Sequence, residues 1–318
     1  MPKKESLENF TQIREDLLKG PYLYRRKNSR EDLSIKGTVM VKIATVLILF
    51  FFFHTLIAIC FTPLVYVMVF PLTTFVFMMT AYYKVVNTHP GKCVGYEPNC
   101  SEEEKKKAIE RANFCKERGF KLVDIGYPAR YCVYCQAFRC ERSYHCKKCD
   151  CCIMKRDHHC PWTGQCIGTY NLRYFIQFLM LLPSNALFGA IINITYMSKV
   201  FTSVMEQPTL FFGISVVVSL FAVVMMIAMG IAVFSLGVHH ILLVLSNTTS
   251  MEEIEKDRYD CLSHDKAPVF PSYSLSKSSN WKEVMGSTVF EWFCPLFPSR
   301  FNPENIDHFT SLSTVEIN

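Results

Sequence analysis

The sequence predicts an all-α integral membrane protein of four transmembrane helices, with a cytosolic cysteine-rich domain between helices 2 and 3. Three observations predict it. Half of the 318 residues are hydrophobic, 26 of them Phe, against 19% charged, and the apolar residues gather in long runs. Lys and Arg fall unevenly between those runs. Nine of the 15 cysteines lie between Cys132 and Cys166.

The elements follow in order. Crossing a hydrocarbon core of about 30 Å takes about 20 apolar residues in a helix. Residues 1–37 are polar and lack an apolar stretch followed by a small-residue cleavage site, so no cleaved signal peptide is expected. Residues 38–59 form the first span and 63–83 the second, joined by a tight hairpin around Phe61 to Pro63. Residues 84–131 are a linker with a surface helix. There Ser101 and Glu104 make a capping box, and Glu102–Lys106 and Glu103–Lys107 are i,i+4 pairs. The cysteine-rich domain covers 132–173, the third span 174–197 and the fourth 211–236. The fourth apolar run continues to Leu245, and its last turns, after Gly237, are expected to emerge into the interface. Residues 237–318 form a C-terminal tail with a Ser-rich loop from Ser272 to Ser279. There is no internal repeat.

Orientation follows from the cations. Ten Lys and Arg precede or include Lys42, and sixteen lie between Lys84 and Arg156. The third-to-fourth connection holds one, Lys199, and the first-to-second none. Both termini and the cysteine-rich segment are therefore expected in the cytosol. The net charge of +6 is modest and reads as topology; no nucleic-acid partner is expected.

The cysteine spacing is Cys132-x2-Cys135-x9-His145-Cys146-x2-Cys149-x2-Cys152, then His159 and Cys166. Repeated C-x2-C with interleaved His favours zinc over disulfides, and so a reducing compartment. Eight soft or borderline ligands suffice for two closed tetrahedral sites, which are structural. Each would contribute on the order of 10 kcal/mol of folding energy to a segment poor in aliphatic core. Which ligands share a metal is left open by spacing alone. Cys140 and Cys151 are spare.

Cys160 is left over in a more telling place, within Asp157-His158-His159-Cys160. A free thiol has a pKa of about 8.5 and is mostly protonated at neutral pH. A neighbouring His can take its proton, and a carboxylate can hold that His in the right tautomer. His158 and Asp157 supply both roles, leaving His159 for metal. Pro161-Trp162 and a membrane span follow. A thiol nucleophile at a membrane surface points to acyl transfer from lipid-like thioesters. A RING-type zinc domain would end in C-x2-C, whereas five residues separate Cys160 from Cys166.

This segment resembles the cysteine-rich domain of the DHHC-type protein S-acyltransferases (palmitoyltransferases), from Cys132 through DHHCPW to Cys166, Gly168, Asn171 and Phe175. Weaker similarities flank it: His89-Pro90-Gly91, Thr249-Ser250-Met251-Glu252, and Asn280 with Trp292. The resemblance implies one zinc on Cys132, Cys135, His145 and Cys152, and another on Cys146, Cys149, His159 and Cys166. It implies that Cys160 accepts a long-chain fatty acyl group, palmitoyl, from acyl-CoA. His158 would act as base and Asp157 would orient it. The acyl group would then pass to cysteines of cytosolic or membrane proteins, at membrane-proximal positions. A multi-pass protein of the Golgi or endoplasmic reticulum is expected. The competing reading is a non-catalytic, membrane-anchored zinc-binding interaction module, which has no need of a ninth cysteine beside a His and an Asp. The chain departs from the family pattern at His89 (usually Asp), Ser250 (usually Thr), Thr163-Gly164-Gln165 and the extra Cys151.

For the acyl-CoA, Trp162 and Phe175 are candidates to line the acyl site. Arg139, Arg142, Lys147 and Lys148 are candidate cations for the anionic coenzyme. His54, His239 and His240 read as interface or packing residues. Asn185 and Asn193 are expected to hydrogen-bond other helices. Cys294 reads as a buried thiol or a surface acylation site.

Overall fold

The computed structural model describes residues 30–60, 69–93, 98, 100–118, 129–206, 210–262 and 273–297. Long, predominantly apolar runs become helices: α1 (Arg30–Cys60), α2 (Val69–Asn87), α4 (Leu172–Glu206) and α5 (Leu210–Leu245). Among the described residues, three stretches are long and apolar enough to cross a membrane, Val39–Ile59, Leu172–Thr202 and Gly213–Leu245. Residues 61–68, with the expected hairpin and the start of the second span, lie outside the described residues. α4 is central and packs on α1, α2 and α5. The two asparagines of α4 bridge helices as expected. Thr74 Oγ1 donates to Asn185 Oδ1 at 3.2 Å, and Asn193 Nδ2 donates to Thr55 Oγ1 at 3.2 Å.

The surface helix α3 (Glu102–Glu117) starts at the Ser101–Glu104 capping box. Lys107 pairs with Glu103 at 2.7 Å, while Glu102 takes Lys105 at 3.0 Å, one residue nearer than the expected Lys106.

The helical class holds outside the cysteine-rich segment. Within it and just before it, the described residues form short strands: β1 (Lys92–Cys93), β2 (Tyr131–Cys132), β3 (Ala137–Phe138), β4 (Tyr144–Cys146), β5 (Cys151–Ile153), β6 (His159–Cys160) and β7 (Gln165–Cys166). They pair antiparallel as β1-β5-β4, β2-β3 and β6-β7. A segment with so few aliphatic residues cannot bury a helix stripe. Tight hairpins suit it because they bring cysteines two or three residues apart to one point. Gln136, Asp150 and Lys155 take positive φ at these turns.

After α5, three shorter helices follow: α6 (Ser250–Leu262), α7 (Lys277–Met285) and α8 (Val289–Phe293). They are held to the cysteine-rich domain and α4 by polar side chains. Asn280 is buried and donates Nδ2 to the Leu245 carbonyl at 2.8 Å, closing the end of α5. Gln177 Nε2 on α4 donates to the carbonyls of Glu291 and Cys294 at 2.9 and 3.1 Å. Cys294 itself is buried, which places its thiol away from the surface.

Candidate active site

Strand alternation decides which cysteine does what. Successive side chains on a strand point to opposite faces. On β4, His145 and Cys146 therefore diverge; His145 pairs with Cys152 across the ladder and Cys146 with Cys151. The result is two separate quartets: Cys132, Cys135, His145 and Cys152, and Cys146, Cys149, His159 and Cys166. In the first, Cys135 Sγ lies 3.4 Å from His145 Nδ1 and 3.8 Å from Cys152 Sγ. In the second, His159 Nδ1 lies 3.6, 3.4 and 3.8 Å from the sulfurs of Cys146, Cys149 and Cys166. A tetrahedral zinc with Zn–S bonds of about 2.3 Å sets its sulfurs roughly 3.8 Å apart, so both quartets fit that ion.

The same alternation acts on β6. His159 pairs with Cys166 across the β6-β7 hairpin, and Cys160 pairs with Gln165. His159 turns to the metal-ligand quartet while Cys160 turns to the opposite face. Hydrogen bonds from Asp157 N–H to the Ile167 carbonyl and from Ile167 N–H to the His158 carbonyl, at 2.9 and 2.8 Å, extend the hairpin and carry Asp157 and His158 with it.

Cys160 is 5% exposed, and Thr163 Oγ1 donates to its backbone carbonyl at 3.3 Å. His158 Nδ1 donates to Asp157 Oδ2 at 2.6 Å. Burial pulls the His158 imidazolium down, but its hydrogen bonds to Asp157 and Cys160 and their charges outweigh that and lift it to about 9. Burial pushes the Cys160 thiol up, yet its contacts with His158 and Thr163 hold it below its ordinary value. Asp157 is buried, which would favour its neutral form; His158, His240 and the Ser250 N–H keep it ionised instead. Both shifts favour the imidazolium–thiolate form of the pair, beside an orienting carboxylate.

Two partners of Asp157 come from beyond the cysteine-rich segment. Ser250, at the start of α6, donates its backbone N–H and its hydroxyl to Asp157 Oδ1, at 2.7 and 2.9 Å. A helix N-terminus favours a carboxylate there. His240, near the end of α5, lies 3.5 Å from Asp157 Oδ2, and its ring centroid is 5.5 Å from that of His158. His240 is buried and packs on Phe175 as well, so the packing residue of the sequence reading also flanks the site. Nothing near it in sequence marks it, because it reaches Asp157 only through the fold.

The Thr249-to-Glu252 motif has its own cause. Thr249 N–H donates to Glu252 Oε2 at 2.9 Å and Glu252 N–H to Thr249 Oγ1 at 3.3 Å, a capping box for α6. Glu252 also accepts two hydrogen bonds from Arg142, at 2.6 and 2.9 Å, and Arg142 reaches the Asn247 side chain and carbonyl at 2.9 and 2.7 Å. Arg142 is 3% exposed. This corrects its assignment as a coenzyme cation: its guanidinium is committed to pinning α6. Arg139 is half-buried and donates to the Ser143 carbonyl, while Lys147 and Lys148 are exposed.

A cavity of about 500 Å³ begins at His158 and Cys160 and descends between α1, α2, α4 and α5. Trp162 and Phe175 line it beside the thiol; Leu47, Phe75, Leu182 and Met226 are among the apolar walls. Along α4 it runs from Phe175 to Ile192, about 25 Å of helix.

The substituted positions are structurally occupied. His89 Nδ1 accepts the Gly91 N–H at 3.0 Å, where Gly91 has φ 100°. Gln165 Nε2 donates to the carbonyls of Val85, Val86 and Thr88 at 2.6, 2.9 and 2.9 Å, closing the end of α2. Gly168 approaches so closely that a Cβ would stand 2.5 Å from the Pro90 carbonyl oxygen.

Residues 125–257 match the family model of the DHHC palmitoyltransferase. Human palmitoyltransferase ZDHHC20 is 29% identical over 204 residues, 64% of this chain and 53% of that protein. Palmitoyltransferase ZDHHC20-B of Danio rerio is 29% identical over 273 residues, 80% of this chain and 77% of that protein. Probable protein S-acyltransferase 13 of Arabidopsis thaliana is 29% identical over 224 residues, 70% and 69%. The chain spans about half the length of the human relatives it matches, 53% of ZDHHC20 and 44% of ZDHHC2. Residues 125–257, with the Asp157-His158-His159-Cys160 tetrad at their centre, are thus similar to the DHHC palmitoyltransferase family.

Proposed function

We propose that this protein is a membrane-embedded protein S-acyltransferase that carries a long-chain fatty acyl group on Cys160. The single observation that supports it most is the place of that thiol. It lies between a histidine–aspartate pair and the mouth of an apolar cavity about 500 Å³ in volume. A zinc module that only bound partners would need neither.

The chemistry proceeds in two exchanges. The Cys160 thiolate attacks the thioester carbonyl of a fatty acyl-CoA; the new S–C bond forms as the coenzyme thiolate leaves and takes a proton from His158. A cysteine thiol of a protein substrate then gives its proton to His158 and attacks the acyl-enzyme, releasing the Cys160 thiolate. Thioester exchange is nearly isoenergetic, so the enzyme supplies positioning and thiolate. Asp157 holds the imidazolium in orientation. The acyl chain lies in the cavity, past Trp162 and Phe175, and Lys147 and Lys148 are the exposed cations left to meet the coenzyme phosphates. The two cysteine–histidine quartets hold structural zinc, one through Cys132, Cys135, His145 and Cys152, the other through Cys146, Cys149, His159 and Cys166.

The cation distribution supports cytosolic termini and a cytosolic cysteine-rich domain, with α2 as a further membrane span. Substrates are then proteins with cysteines near the membrane surface, and the compartment is the Golgi or endoplasmic reticulum.

The test uses the full chain in detergent or membranes with an alkyne-tagged fatty acyl-CoA. Hydroxylamine-labile label on the wild type, lost in Cys160→Ser with two zincs per chain retained, is the expected result. Label that persists in Cys160→Ser, or zinc lost from it, would defeat the assignment.

A further inference from the structure

Two thiols outside the quartets and outside the tetrad meet in this fold. Cys93 sits on β1 and Cys140 in the turn before β4, yet Cys93 Sγ is 3.0 Å from Cys140 Sγ. Cys140 N–H also donates to Cys93 Sγ at 3.3 Å. We propose that Cys93 and Cys140 are a redox-sensitive pair that closes reversibly to an intrachain disulfide.

The geometry carries this in three ways. First, a disulfide needs the sulfurs at about 2.05 Å, so closure asks only about 1 Å of approach from side chains already in contact. Second, neither thiol belongs to a metal quartet, so their oxidation removes no zinc ligand. Third, the pair is reachable. Cys140 is half-buried, and a hollow of about 220 Å³ lined by Lys92, Arg139 and Asp150 opens onto Cys93.

The oxidant is a hydroperoxide. The Cys93 thiolate displaces hydroxide from hydrogen peroxide and becomes a sulfenic acid. Cys140 then attacks that sulfur and releases water. Per cycle, two thiols lose two protons and two electrons, one peroxide becomes two waters, and a dithiol reductant restores the pair. Such a switch suits a reducing compartment, where disulfides are transient.

The bond would fasten two segments that are otherwise joined through β5. β1 follows α2 and pairs with β5, placing Cys93 opposite the quartet member Cys152. The Cys140 turn leads directly to Arg142, which pins α6 and hence the Ser250 donor to Asp157. Oxidation thus ties the exit of α2 to the loop that supports the site.

The experiment is differential alkylation of the full-length protein in membranes during a hydrogen peroxide titration, with peptide mapping and zinc analysis. The expected result is joint loss of Cys93 and Cys140 alkylation, a linked peptide lighter by two hydrogens, restoration by dithiothreitol, and unchanged zinc. In Cys93→Ser, Cys140 should stay alkylatable, and in Cys140→Ser no linked peptide should form. Three outcomes would overturn the proposal. Quartet cysteines could oxidise with zinc release while Cys93 and Cys140 stay free. Cys140 could pair with another cysteine in the wild type. Both thiols could be protected before oxidant and freed by a chelator, which would make them metal ligands.

Discussion

Ser250 N–H stands 2.7 Å from Asp157 Oδ1, although 93 residues separate them in the chain. The hydroxyl of the same serine adds a second bond at 2.9 Å. Asp157 spends its other oxygen on His158 at 2.6 Å. The orientation of the histidine beside Cys160 therefore depends on a helix that begins after the last long apolar helix. Arg142, by pairing with Glu252, keeps that helix in place.

Ser250→Ala removes one of the two donors and leaves the backbone N–H. A hydrogen bond to a charged group is worth about 1.5 kcal/mol or more, roughly tenfold in rate. Single-turnover acylation of Cys160 should slow by about that factor, and Ser250→Thr should keep the rate. Equal rates in the alanine variant and the wild type would mean that the hydroxyl does not support Asp157.

His158→Ala and His159→Ala should fail differently. His158 is raised from 6.5 to about 9 in the fold. Its imidazolium therefore stabilises the fold fully below 6.5, and that contribution is lost as pH rises through about 9. The melting-temperature gap between wild type and His158→Ala should narrow across that window. Acylation by His158→Ala should fall on the order of 100-fold and recover in part as pH approaches about 8.5, where a free thiol ionises. His159→Ala should lose one zinc and show no recovery at any pH. Metal loss from the first variant with retention in the second would reverse the two roles.

Arg142→Ala should destabilise without weakening coenzyme binding. It leaves Glu252 buried and unpaired, a change worth roughly 3–5 kcal/mol. Limited proteolysis should reach α6 far sooner. The KM for acyl-CoA should instead rise in Lys147→Ala with Lys148→Ala. A raised KM and normal protease resistance in Arg142→Ala would restore it as a coenzyme contact.

Cys135→Ala opens one quartet. Zinc content should drop from two to one per chain, and the domain should become protease-sensitive because metal binding and folding are coupled. A stable, fully active variant with both zincs would contradict a structural role for that site.

The helical membrane class, the eight cysteines and histidines that form the quartets and the spare Cys160 were legible in the sequence because each is a local pattern. Apolar run length, C-x2-C spacing and the adjacency of Asp157, His158 and Cys160 all lie within a few residues. The β6 strand, with His159 turned to its cysteine quartet and its neighbour Cys160 turned to the cavity, is local too, but only the ladder pairing reveals which face is which.

Tertiary structure alone decided the rest. Arg142 read as an available cation because its partner Glu252 lies 110 residues on, while the neighbouring Glu141 pairs with Arg130. His240 read as an interface residue and proved to flank Asp157. Cys93 and Cys140, 47 residues apart in the chain, stand in contact. Each is a charge or contact partner brought near by packing, and sequence spacing carries no record of distance once the chain has folded back across four long helices. What the sequence by itself determined is the chemistry this protein owns; what packing determined is which of those groups are free to use it.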